Sequence, residues 1–79
     1  MTEQEKSEFL KQREDALSKY IATKEKEIEE YKKNAEQSRE LHLPKQYQDQ
    51  CDKTIKSFEA FLSSLKNDLK ILRQAIANL

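Results

Sequence analysis

From Cys51 onward the apolar residues keep one rhythm. Cys51, Ile55, Phe58, Leu62, Leu65, Leu69, Leu72, Ile76 and Leu79 follow one another at alternating steps of four and three. That is the heptad pattern of a helix with one apolar seam, with Ile55, Leu62, Leu69 and Ile76 at position a and the others at position d. The first half carries a flawed version of the same pattern. Leu10, Leu17, Ile21, Ile28, Tyr31 and Ala35 hold seam positions, while Glu14, Lys24, Ser38 and His42 interrupt them.

Pro44 separates the two runs. It has no N–H to donate and disfavours helical geometry at Leu43, so the chain is expected to turn there, with Pro44 in the first turn of the second helix. The spacing predicts a first helix over about 3–41, a turn over 42–44 and a second helix over about 44–77, all within a single domain spanning 1–79. Each helix would be about 50–58 Å long at ~1.5 Å per residue. So short a connection permits only an antiparallel hairpin. Folding there sets Leu10 against Ile76, Leu17 against Leu69, Ile21 against Leu65, Ile28 against Phe58, Tyr31 against Ile55 and Ala35 against Cys51, each joining an a to a d. On the same alignment Lys32 is expected near Asp52, Lys11 near Arg73 and Glu25 near Glu59.

Composition reinforces the all-α reading. Glycine is absent, proline occurs once, and 38% of residues are charged against 35% apolar. Such a chain suits long helices and lacks residues for tight turns. At 79 residues it lies near the size at which one core supports a fold unaided. A second apolar surface is therefore expected. Phe61, Ile71 and Ala75, with Phe9, Tyr20 and Leu41, stand off the seam and are suited to meeting another hairpin. The expectation is a two-helix antiparallel coiled-coil hairpin dimerising into a four-helix bundle, the alternative being a monomer whose N-terminal segment folds back as a third helix.

Charge and chemistry narrow the function classes. The 15 basic and 15 acidic residues cancel and are interspersed, so neither nucleic acid nor an anionic membrane finds a basic face. Tyr20, Tyr31 and Tyr47 alternate with lysines but fall on or beside the seam among acidic residues, which favours packing over base stacking. No long apolar stretch calls for an integral membrane segment, and the start of the chain lacks the pattern of a signal peptide. One cysteine, Cys51, has no internal partner, in keeping with a reducing compartment. Cytoplasmic localisation is the expectation.

His42, the single histidine, reads as a turn residue, and Cys51 at position d reads as a small buried apolar group, with redox sensing as its functional alternative. No metal-ligand spacing, phosphate-cradling loop or nucleophile–base set is present, so no catalytic, cofactor-binding or metal residue is assigned and no cofactor is expected. The chain reads as a non-enzyme, a protein–protein interaction module or adaptor acting through helix packing and self-association as a homodimer. Ile55, Phe58, Leu62, Leu65, Leu69 and Leu72, together with Phe61 and Ile71, are the interaction residues. Glu14 and Lys24, polar in the seam, are the candidates for fixing register or oligomeric state, unless they reach sideways to water. The alternative is a small helical regulator or inhibitor that offers one helix face to a larger protein.

The segment Glu27–Lys66 resembles the helical-hairpin repeats of coiled-coil and C2-domain-containing endosomal regulators, through Glu30-Tyr31-Lys32, Ala35 and Lys56-Ser57-Phe58. Here the turn is His42-Leu43-Pro44 where those repeats carry Gly-Asp. The resemblance implies a helical hairpin and binding to the acidic helix of an ESCRT-III subunit in endosomal sorting, with no binding residue carried over.

Overall fold

The computed structural model describes residues 2–79 and consists of two helices, α1 (Glu3–Glu40) and α2 (Lys45–Ala77), packed antiparallel into a hairpin about 60 × 15 × 15 Å. Helix α1 begins at a capping box. The Thr2 hydroxyl accepts from the Glu5 N–H at 3.1 Å, and the Glu5 carboxylate accepts from the Thr2 N–H at 3.4 Å. Two of the four unpaired amides at the helix start are satisfied in this way.

The turn is closed without glycine. Leu43 N–H donates to the Ser38 carbonyl at 3.0 Å and His42 N–H to the Arg39 carbonyl at 3.1 Å, the two bonds of a Schellman ending. That ending requires a left-handed residue, and His42 supplies it at φ 53°. A residue with a Cβ pays about 1–2 kcal/mol there. Pro44 then stands at the cap of α2, one residue before the predicted first turn, with its carbonyl accepting from Tyr47 and Gln48. The side-chain amide of Gln48 donates back to the Leu43 carbonyl at 2.7 Å, holding the two ends of the turn together.

The seam follows the predicted heptads, but the burial along it is uneven. The buried apolar side chains are Ile21, Ile28, Ala35 and Leu69, all at position a, while Ile55, Leu62 and Ile76, the other apolar residues at a, are half-buried. Every apolar residue at position d is half-buried or exposed: Leu10, Leu17, Tyr31, Cys51, Phe58, Leu65, Leu72 and Leu79. Ser38, which interrupts the apolar pattern, is among the most buried residues at 2% exposure, and its hydroxyl donates to the Ala35 carbonyl at 2.7 Å. Beside the turn the helices need small side chains, and a self-satisfied hydroxyl buries there without an orphaned donor.

Candidate interaction surface

Two grooves run along the hairpin, one on each side of the seam. Positions a and e line the first. Its floor is Ile28, Ala35, Ile55 and Leu62, and its walls include Glu25, Lys32, Glu59 and Lys66. Across it, Arg39 Nη2 bonds the Asp52 carboxylate at 2.9 Å, the one ion pair between the helices among the described residues. The alignment read from sequence set Lys32 near Asp52, and the structure gives Asp52 to Arg39 instead, while Lys32 lines the same groove; Glu25 and Glu59, expected near each other, line one groove together. In an antiparallel pair each e residue lies one place after d and four after a, so e meets e on one side of the facing seam level, as Arg39 and Asp52 do, and g meets g on the other side, as Tyr20 and Phe61 do. Counting heptads from Arg39–Asp52 sets Lys32 with Glu59 and Glu25 with Lys66. On that count opposite charges face each other at these two levels, while Arg73 falls level with Ser18.

The second groove belongs to positions d, g and c. It holds about 440 Å³ and is lined by Arg13, Ala16, Leu17, Tyr20, Leu65 and Leu72. Tyr20 meets Phe61 edge to face at 6.4 Å between centroids, and Tyr31 lies on Phe58 at 5.0 Å. These contacts straddle the predicted facing pairs and agree with the seam register.

The large off-seam apolar residues of the two helices are Phe9, Tyr20, Leu41, Tyr47, Phe61 and Ile71. All are exposed, and each falls at c or g. Positions b, e and f carry no apolar side chain larger than alanine. The hairpin is thus asymmetric: the e side carries no large apolar residue, while the g side carries all of the off-seam ones, interspersed with Lys6, Arg13, Glu27 and Asp68.

Lys24 explains part of this asymmetry. Placed by the heptad at d opposite Leu62, its side chain turns toward the g edge, where Nζ pairs with Glu27 at 3.0 Å and lies 5.3 Å from the Tyr20 ring centroid. The Glu27 hydrogen bond is the main cause holding the Lys24 ammonium above its usual pKa, against a smaller opposing effect of burial. Glu14, the other polar seam residue, is half-buried at a and makes no side-chain hydrogen bond or ion pair among the described residues.

The interaction residues expected from sequence divide between two tasks. Leu69 is consumed in the hairpin's own core, and Ile55 and Leu62 floor the charged groove. Leu65 and Leu72 open into the apolar groove, Phe61 caps Tyr20, and Ile71 stands 57% exposed on the same side, with Phe58 nearer the turn. Arg13, Ala16 and Asp68, which belong to or border the apolar face at g and c, escape a reading confined to large apolar residues. Lettering every position of both helices would have found them. The tyrosines, expected on or beside the seam, are all partly exposed on this face.

His42 is committed to the turn and Cys51 is half-buried at d with a free thiol. Among the described residues no group of three or more His, Cys, Asp or Glu side chains is placed to hold a metal ion, and no helix is long and apolar enough to cross a membrane. Comparison of the chain with protein-family models, with curated proteins and with solved structures finds no match to any of them. Of the residues that carry the resemblance to endosomal-regulator repeats, Tyr31, Ala35 and Phe58 are seam residues, whose spacing any antiparallel hairpin of this kind requires.

Proposed function

We propose that this chain is a non-catalytic interaction module that holds its own hairpin together with the a residues and the charged e edge, and offers the d, g and c face to helices of another polypeptide. The observation that carries the reading is the one-sided placement of Phe9, Tyr20, Leu41, Tyr47, Phe61 and Ile71, all exposed and all at c or g. Scattered surface apolar residues are ordinary, whereas their confinement to one side of the hairpin marks an association site. The rigid frame behind it favours docking of helices in register over capture of a flexible peptide.

The test is site-specific photo-crosslinking in the source cell. A photoreactive phenylalanine analogue at Phe61 should give discrete protein adducts, and the same group at Lys33 on the charged side should give none. Equal adduct patterns from both sites would remove the basis for a face-specific module.

A further inference from the structure

We infer that the occupant of the apolar face is a second copy of this chain, packed so that the two turns lie at the same end and α1 of one copy faces α2 of the other. The inference rests on the docking-face reading above and names its partner.

The first argument is area. A compact monomer of 9.4 kDa exposes about 5,000 Å² by the usual scaling of surface with mass. This hairpin exposes 6306 Å². The excess, about 1,300 Å², exceeds what one partner contributes to a standard interface, about 800 Å². A standard interface on the g face would remove more than half of that excess.

The second argument is the distribution of charge on the face. Its apolar residues concentrate toward the open end of the hairpin, around Phe9, Ala16, Tyr20, Phe61, Ile71 and Ala75. The charges at g within that stretch are Arg13 on α1 and Asp68 on α2. Two twofold arrangements cover the patch. With the turns at opposite ends, each helix faces its own copy, and Asp68 meets Asp68 of the second copy close to the axis. With the turns at the same end, α1 faces the second copy's α2, which places Arg13 on the helix opposite Asp68 and Tyr20 on the helix opposite Phe61. Like charges close to the axis of a desolvated interface oppose binding, and opposite charges set its orientation. The second arrangement is therefore the one the sequence fits. In either arrangement all four helices run antiparallel to their neighbours, as in a four-helix bundle, so the charges decide between them.

The test begins with sedimentation equilibrium of the full chain over a wide concentration range. The expected mass rises to twice the 9.4 kDa of the chain and stops there. A single 9.4 kDa species at every concentration overturns the inference, while adducts at Phe61 to some other protein would still support the docking face. Phe61→Glu should weaken self-association by ~30-fold or more, the effect of losing a central anchor. Because that variant risks unfolding, charge variants give a second route. Arg13→Asp and Asp68→Arg should each associate poorly alone and form a one-to-one heterodimer when mixed. Failure of the mixture to associate overturns the pairing.

Orientation is read by spin labels on Lys53→Cys in a Cys51→Ala background. Turns at the same end predict a label separation below about 35 Å, two helix-pair widths. Turns at opposite ends predict about 50 Å, which overturns the arrangement.

Discussion

Replacing Leu69 by alanine and, separately, Ile71 by alanine distinguishes the hairpin's own core from the face it leaves open. The two residues are close in sequence on one helix and similar in size, yet Leu69 is 8% exposed and Ile71 57%. Truncating a buried leucine costs about 2–5 kcal/mol through lost transfer free energy and the cavity left behind. Two helices close on a gap more easily than a full core does, so the low end, about 2 kcal/mol, is expected here. With a urea slope near ~1 kcal/mol/M for so small a chain, the midpoint falls by about 2 M. That loss is the same at every protein concentration, because Leu69 is buried within one copy.

Ile71→Ala in the separate hairpin removes little buried surface and introduces a better helix former, so its effect is expected within about 0.5 kcal/mol and can be stabilising. Under conditions where two copies are joined it should become clearly destabilising, since the side chain is then covered. Urea titrations followed by circular dichroism at two protein concentrations measure all of this. Equal losses from both variants at low concentration, or a Leu69→Ala midpoint that does not move, would refute the division between core and face.

Further expectations follow from single features. Thr2→Ala removes the capping box and should cost about 1 kcal/mol, seen as faster amide exchange in the first turn of α1. His42→Gly relieves the left-handed strain at φ 53° and should stabilise by up to about 1 kcal/mol, read as a higher thermal midpoint, while a β-branched residue there should lower it. Arg39→Ala breaks an exposed pair and should cost no more than ~1 kcal/mol, detectable only as a weakened salt dependence of unfolding. The Lys24 ammonium is held above its ordinary pKa of 10.5 by Glu27. Its contribution is complete below that ordinary value and is lost as pH rises through the higher folded value. From neutral pH to about pH 10 the stability difference between wild type and Lys24→Met should therefore be constant, and it should change above that, as measured by denaturant titration across pH.

How far the sequence carried the fold depended on which residues spoke. The α2 heptad and Pro44 determined the hairpin, its length and its register, since apolar periodicity reports directly on which side chains must leave water. The helix limits fell within a residue or so, the shift at Pro44 arising because a proline that directly follows a Schellman ending serves as the cap of the next helix and not as its first turn. Ser38 was misjudged as an interruption, because a hydrophobicity pattern cannot see that a short side chain bonded to its own helix belongs where two helices come closest. The edge pairs were misplaced for another reason. Seam positions face one another at one level, but edge positions reach past it, and a single alignment applied to both puts Lys32 against Asp52 where Arg39 stands. The asymmetry was written in the sequence yet hidden, because it appears only when both helices are lettered and their g edges are brought to the same side by the antiparallel turn.

Confinement of the apolar residues to one side bears on what kind of assembly such a hairpin can make. A helix pair with apolar residues on both edges can accept a neighbour on each, and repetition of that contact yields open arrays. Here the e edge carries Arg39 paired with Asp52, and Lys32, Glu25, Glu59 and Lys66 line the groove beside it, charged groups that resist desolvation by an apolar neighbour. The g edge alone remains, and a single self-complementary face related by a twofold axis closes on itself at two copies. The same division accounts for Lys24. A polar residue at d weakens the seam, but by turning to Glu27 and lying against Tyr20 its side chain extends the g edge while keeping its charge paired. The flaw in α1 is therefore placed where it lowers the stability of the isolated hairpin and adds to the face the proposed second copy covers, which makes association and folding mutually dependent.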